Sequence, residues 1–501
     1  MESTALLSSP WFLLTIITVI LSAIWILASR TWTRVNLPPG PASWPLIGTI
    51  PTLVSSKLSP LNLLTAFAEK YGDIYRLRIF TTDIVILNSY ELIKDAFQNP
   101  NIQDRPRIVP IEDFFDRRNI GIAGSSGKVW KDHRLFVHSA LRKLNSGPRT
   151  IDDIIHAEAH TLLGEVAKIL DRPLNPHKLF NCAVSNVISV LLFGRSFSYT
   201  EPAFNQLQEI INENLKLAAS GGIFIFIPIL AKVPFSPANK IKKGVENFTR
   251  VIEKIVDEHR NQPDEPKNPQ DFIDLYLSEI QRTSQDSSSS FDEVNLKVCI
   301  GDMFGASTET TNASLKWSIL YMVAHPDVQT RVQDELDRVV GRDRLPTLSD
   351  RPSLPFTEAT LQEIRRMGLA SPLGVAHRCG ADTKVDGYDI RAGTLVVSNM
   401  WRVARDSRVW DIPDEFRPER FLSDSGECIK PEELIPFCTG KRTCIGESVA
   451  RKQMFVFFTN LLHRFTFRRV EESSSPLSLE GRLGFVYDTP VFQVRVCART
   501  M

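Results

Sequence analysis

The sequence predicts a mainly helical protein with a few short strands, set behind an apolar N-terminal segment. Three observations carry this. Long stretches repeat apolar residues at helical spacing, and short runs near the start alternate as strands do. Trp11 to Ser29, "WFLLTIITVILSAIWILAS", carries no charge. The chain has 501 residues, and length alone suggests about three domains. Its apolar share of 43% and charged share of 23% are ordinary for a globular protein. A net charge of +1 excludes the strong basic bias of a nucleic-acid binder. The 7 cysteines are odd in number and scattered, with no C-x-x-C, which predicts a reducing compartment and no disulfide framework.

The run 11–29 suits a membrane-spanning helix. A cleaved signal peptide is the rival reading, but it would place a positive charge before a shorter apolar core. Here Glu2 is the only charge before the run and Arg30 and Arg34 follow it, so an anchor with a cytosolic body is expected. "LPPGP", 37–41, cannot continue a helix and reads as a stiff connector. "DIYRLRIF" from Asp73 and "DIVILNSY" from Asp83 read as a hairpin turning near Thr81 and Thr82. Segments 152–169, 241–260, 294–324 and 326–340 read as helices, with Pro326 in the first turn of the last. "DSSSS", 286–290, reads as a polar surface connection. Residues 221–235, "GGIFIFIPILAKVPF", are apolar without clean periodicity. A buried crossing and a loop dipping into a membrane surface both remain open for them.

"PFCTGKRTCIGESVARKQM", 436–454, holds two cysteines. Val449, Ala450, Met454, Phe457, Phe458, Leu461 and Leu462 fall at helical spacing, so a helix begins just after Cys444. A thiol beside a helix N-terminus meets free N–H groups and the positive end of the dipole, which favour the metal-binding thiolate. Lys441 and Arg442 add positive charge, and Gly440 and Gly446 permit tight turns and close backbone approach. Cys438 lacks such neighbours and reads as a small, partly buried hydrophobe. No further Cys or His at short spacing supports zinc. A lone thiolate suits a haem iron with one axial cysteine.

"FCTGKRTCIG", Phe437 to Gly446, resembles the F-x-x-G-x-R-x-C-x-G loop of the cytochrome P450 family. Other motifs follow the family's order. "GDMFGASTETTN", from Gly301, resembles its oxygen-binding motif A-G-x-[DE]-T, with Ala306, Ser307, Thr308, Glu309 and Thr310. Small residues at 305–307 let a flat cofactor lie against the helix. A Thr hydroxyl beside an acid can hold water and relay protons. The plainer reading is a buried helix whose Thr side chains bond back to their own carbonyls. Ser307 departs from the family's usual glycine. "QEIRRM" carries E-x-x-R as Glu363 and Arg366, and "FRPERF" carries Arg420. In the family these lock the core around the cysteine loop. "GKVWKDHRLF" resembles W-x-x-x-R, with Trp130 and Arg134 on one helical face to meet a haem propionate. By position His377 and Arg442 look like further propionate contacts, and Arg105 in "DRPR" like a weaker one.

The resemblance covers nearly everything after the anchor, and the wording is most similar to animal endoplasmic-reticulum members in the broad group that includes family 2. It implies a helical prism with a small β region, organised as anchor 1–36, Pro-rich linker 37–59 and catalytic domain 60–501. It implies a haem-thiolate monooxygenase carrying haem b (iron protoporphyrin IX), with Cys444 as iron ligand and Phe437 and Ala306 against the cofactor. Thr310 and Glu309 would deliver protons. The implied partners are O2, a lipophilic small molecule, NADPH–cytochrome P450 reductase and cytochrome b5, at the endoplasmic-reticulum membrane. An acidic partner would dock on Lys128, Lys131, Arg142, Lys143, Lys441, Arg451 and Lys452. By analogy the substrate meets Ile108, Val109, Phe114, Phe115, Phe224, Phe226, Phe304, Leu373, Val375 and Phe485, an apolar set. The rival within the fold is an isomerase or dehydratase acting on an oxygenated or nitrogen-containing substrate.

Overall fold

The computed structural model describes residues 36–220, 223–233, 236–261, 270–470 and 477–499, with positions 14, 15, 18, 19 and 22 before them. The expected anchor 11–29 lies largely outside the described residues. Among those described, no helix is long and apolar enough to cross a membrane. The chain forms two compact units, Met1–Gln103 with Ala376–Ser398, and Asp104–Val375 with Asn399–Met501.

The first unit is built on a 4-stranded sheet. Ile74–Ile79 and Thr82–Leu87 form the expected antiparallel hairpin, and the Ile79–Thr82 pair leaves Phe80 and Thr81 as its turn. Thr82–Leu87 also pairs in parallel with Leu395–Ser398, which pairs antiparallel with His377–Arg378. With a neighbour on each side, Ile84 to Leu87 are buried. A second hairpin joins Thr383–Val385 to Tyr388–Ile390 through Asp386 and Gly387, at φ 49° and 76°. Asp-Gly in this position is the preferred two-residue hairpin turn, since both residues must be left-handed.

The second unit is helical. Its centre is the long helix Glu293–Ala324. Asp292 caps it by accepting from the Asn295 amide, and Pro326 opens the next helix, Pro326–Val340. The long helix is buried almost all round between Thr311 and Val323, as a central element must be. It packs against His177–Phe193, itself buried from Phe180 onward. Around them lie the tryptophan helix Gly127–Asn145, the helices Ile151–Ala167, Pro237–Arg260 and Pro355–Met367, and the cysteine helix Glu447–Arg464. Ser236 caps Pro237–Arg260, which starts it earlier than the apolar spacing predicts. A 3-stranded sheet places Val494–Ala498 between Pro173–Leu174 and Phe465–Arg469. Within 221–235 the described part packs inward, with Phe224 and Ala231 buried beside Val109, Ala238 and Ile241. Residues 221, 222, 234 and 235 lie outside the described residues.

Candidate functional site

The cysteine loop is closed by its own backbone. The Cys444 amide donates to the Phe437 carbonyl at 3.0 Å, and the Thr443 amide to the Gly440 carbonyl at 3.1 Å. Two residues turn left-handed to allow this, Gly440 at φ 79° and Cys438 at φ 61°. Gly446 lies in the turn that leads into the cysteine helix, at φ −89°, and a Cβ there would meet Cys444 Sγ at 3.9 Å. Cys438 packs beside Leu369, Met400 and Ala404, as a small hydrophobe does.

The cysteine helix begins at Glu447, so the Gly446 and Glu447 amides face the Cys444 thiol. Cys444 is exposed as a residue yet enclosed by protein at short range. That enclosure raises the thiol pKa more than the two amides and Arg134 lower it. A bound cation would supply the missing charge.

Guanidinium groups gather around the loop. Arg134 on the tryptophan helix donates from Nη2 to the Thr443 carbonyl at 2.8 Å. Arg442 lies over the Trp130 ring, 4.0 Å from its centroid, and donates to the carbonyls of Ser125 at 2.6 Å and Ile122 at 3.4 Å. Arg105 donates to the Val375 carbonyl at 2.6 Å. Burial pushes Arg442 down to about 9, reinforced by Arg105 and Arg134 and opposed by Asp104. Burial likewise lowers Arg105, to about 10. Such a cluster suits an anionic ligand. Phe437 lies beneath Arg451, with 4.8 Å between guanidinium and ring centroid. A cysteine sulfur with guanidinium groups beside its loop fits a haem, whose iron would take the thiolate and whose carboxylates would take the arginines.

On the long helix, Ala306 is exposed between buried Gly305 and Thr308. The Thr310 hydroxyl donates to the Ala306 carbonyl at 2.7 Å, and Ser307 to the Phe304 carbonyl at 3.1 Å. Back-bonding thus occupies the Thr310 proton and leaves its lone pairs as acceptors. Glu309 lines a cavity of about 550 Å³ shared with His177, Lys316, Phe485 and Asp488. Burial raises its carboxyl pKa, against the opposing charge of Lys316.

Glu363, Arg366 and Arg420 come together, with Glu363 accepting from both arginines. His377 belongs to the first unit, where its Nδ1 donates to the Ile102 carbonyl at 2.7 Å and its ring stacks on Phe97 at 3.8 Å. Of the expected substrate contacts, Phe304 is fully buried against Phe193, and Val109 and Phe224 belong to a helix-packing cluster. Of the basic docking residues, Lys128 pairs with Asp132, Lys452 with Asp152 and Arg451 with Glu447.

Sequence reasoning missed Asp302. Its Oδ2 accepts from the Ile122 and Ala123 amides at 2.8 and 2.9 Å, while Arg442 holds the same loop by its carbonyls. Burial raises Asp302 to about 6, held back by those two amides. The available signal was an acid set among apolar residues in "CIGDMFG".

A cysteine at a helix start, with Arg134 and Arg442 bound to the neighbouring loops, is the setting that a haem-thiolate protein requires. The cytochrome P450 family model matches residues 38–496, and the chain belongs to that family. It is 34% identical over 490 residues to cytochrome P450 2U1 of Homo sapiens, covering 93% of this chain and 90% of that one. It is 35% identical over 467 residues to cytochrome P450 2J2 of Homo sapiens, covering 92% and 91%. Against cytochrome P450 2D6 of Pan troglodytes it is 34% identical over 460 residues, covering 90% and 92%. The family makes it in general a haem-thiolate monooxygenase.

Proposed function

We propose that this chain inserts one oxygen atom from O2 into a lipophilic small molecule, by hydroxylation or epoxidation. The observation that supports this most is Cys444, set at the start of Glu447–Arg464 with Arg134 and Arg442 beside it. Haem b, bound through Cys444, would supply dioxygen activation, with the thiolate favouring O–O cleavage. Arg134 and Arg442 would hold its carboxylates, Trp130 would support Arg442, and Phe437 and Ala306 would lie against the cofactor; His377, in the first unit, stays a carboxylate contact that only the family resemblance suggests. Thr310 would orient water through its hydroxyl lone pairs. Glu309, its pKa raised by burial, would hold a proton and release it toward that water. Glu363, Arg366 and Arg420 would keep the loop's supporting structure fixed.

Electrons would come from NADPH through a membrane reductase, with cytochrome b5 as a second donor. Lys131, Arg142, Lys143 and Lys441, together with Lys128, Arg451 and Lys452 in their ion pairs, are the candidates for meeting its acidic face. The anchor 11–29 within 1–36, the linker 37–59 and the catalytic region 60–501 would place the enzyme on the endoplasmic-reticulum membrane, single-pass, with the body in the cytosol. The test is turnover under labelled dioxygen, in microsomes with reductase and NADPH, on a mixed lipophilic library. Label in a product supports the proposal. Conversion without label would move the enzyme to isomerase or dehydratase chemistry.

A further inference from the structure

We propose that His156 and His160, with Asp343 on the same cavity, form a binding site for a divalent transition-metal ion of the zinc, copper or nickel kind. The site lies at the far end of the cysteine helix from Cys444, beside Arg464, and depends neither on haem nor on the monooxygenase reading.

Both histidines stand on the helix Ile151–Ala167, whose first turn is fixed by the Thr150–Asp153 capping box. Four residues apart, the two rings share one helical face, with about 6 Å between their Cβ atoms. That separation lets two imidazole nitrogens meet one ion, each at about 2 Å. No other two of the chain's 9 histidines are four residues apart. His133, His259, His377 and His463 are each bonded through a ring nitrogen. His156 and His160 have no hydrogen-bond partner among the described residues. Glu158, between them in sequence, turns to the opposite side, where it is buried and accepts from Tyr199 Oη at 2.7 Å. It cannot serve as a base beside the ion, so the pair offers binding and not the chemistry of a zinc hydrolase.

The two rings line a cavity of about 880 Å³ together with Gly164, Asp343, Arg344, Arg464 and Arg499. His156 is half-buried and His160 exposed, so one ligand is held by the fold and the other opens to solvent. Burial lowers the His156 pKa, and His160 acts in the same direction, against Asp152, Asp153 and Asp350. The ring is therefore neutral at neutral pH, the form that coordinates a metal.

Three arginines on this wall would repel a cation, but two are neutralised. Arg344 Nη1 donates to Asp350 at 2.7 Å, and Arg499 Nη2 to Asp337 at 2.7 Å. Arg464 has no acid partner and Asp343 no cationic one among the described residues. The Asp343 carboxylate thus offsets Arg464 and is available as a third ligand. The three ligand atoms do not all lie within 4.8 Å of one another, so the two rings are the fixed part and Asp343 closes on the ion from its exposed bend. An anion would find one uncompensated arginine and two neutral rings, a poorer match. Two nitrogens and one oxygen, without a thiolate, suit Zn2+, Cu2+ or Ni2+, whereas Mg2+ and Ca2+ take oxygen shells. The bound ion would tie the helix Ile151–Ala167 to the segment that follows Pro326–Val340.

The experiment titrates Zn2+ by calorimetry into the haem-loaded full chain, purified without a histidine tag, as wild type, His156→Gln and His160→Gln. The haem spectrum of each variant reports that it is folded. Each single variant should bind at least about tenfold more weakly, since even the loss of a supporting contact to a ligand costs that much. Gly164 lies one further turn along the same face, where an added Cβ meets nothing within 4 Å. Gly164→His in the His156→Gln background therefore restores a pair four residues apart and should recover binding. Thr161→His in that background, off the face, should not. An excess of Mg2+ should leave Zn2+ in place. Equal Zn2+ affinity in wild type and both single variants, displacement by Mg2+, or no recovery with Gly164→His would overturn the site. Thermal stabilisation by inorganic phosphate but not by Zn2+ would overturn it too and assign the cavity to an anion. All of these are read without turnover, so none of them bears on the monooxygenase reading.

Discussion

Arg366 grips Glu363 at both ends of its carboxylate, Nε at 2.7 Å from one oxygen and Nη2 at 2.8 Å from the other, and neither side chain reaches solvent. The remaining Arg366 donors reach the carbonyls of Ala404, Pro413 and Glu415, and Arg420 and the Arg417 amide complete the Glu363 oxygens. Removing one partner leaves a buried charge uncompensated. Glu363→Gln should cost about 3–5 kcal/mol, read by chemical denaturation and by the yield of folded protein. Arg366→Lys should not rescue, because an ammonium cannot serve that fork of acceptors.

His259 joins two helices. Its Nε2 lies 2.9 Å from Asp271 Oδ2 and its Nδ1 2.7 Å from the Ile255 carbonyl, so both nitrogens face acceptors. Burial lowers its pKa, but the bonds to Asp271 and Ile255 outweigh burial and raise it to about 9. Because the folded value lies above the unfolded one, this stabilisation is fully present below the unfolded pKa and is lost as pH rises through about 9. His259→Gln should cost about 2 kcal/mol at pH near 6, after discounting for solvent screening, and little at pH near 10. Denaturant midpoints at the two pH values check this. Two acceptors already occupying the ring also argue that the grouping of His259, Asp271 and Asp274 is an ion pair and no metal site.

Asp302 and Arg442 hold the 121–126 loop from two sides, one by its amides and one by its carbonyls. Asp302→Ala should raise amide exchange at Ile122 and Ala123 by the loss of about 1–3 kcal/mol of protection. Asp302→Asn, which keeps an acceptor oxygen, should retain most of it. Hydrogen exchange read residue by residue separates the two.

Thr310 keeps its hydroxyl on the Ala306 carbonyl and offers lone pairs to water. Thr310→Ala should raise the peroxide released per NADPH by roughly tenfold or more, while Thr310→Ser should stay near wild type. The peroxide-to-product ratio under NADPH checks it.

Which parts were legible follows from how local their causes are. The long helix was expected at 294–324 and is found at Glu293–Ala324, because a capping Asp and a Pro mark its ends. The start of the cysteine helix was equally clear. The Asp386–Gly387 turn was written in "VDGY" and went unread. E-x-x-R spacing shows that Glu363 and Arg366 can meet, but their complete burial depends on distant segments supplying carbonyls. Asp302 belongs to the same class, since its two donors come from a loop far away in sequence. Cys444 shows the limit most clearly. Nearby donors and a dipole are local facts, but the enclosure that outweighs them exists only once the chain is folded.

The central claim is that Cys444, and not Cys438, holds the iron. The most direct measurement is the carbon monoxide difference spectrum of the reduced holoprotein for wild type, Cys438→Ser and Cys444→Ser. The account predicts the thiolate-ligated band in wild type and in Cys438→Ser, and its loss in Cys444→Ser. A band that survives in Cys444→Ser and disappears in Cys438→Ser would contradict it.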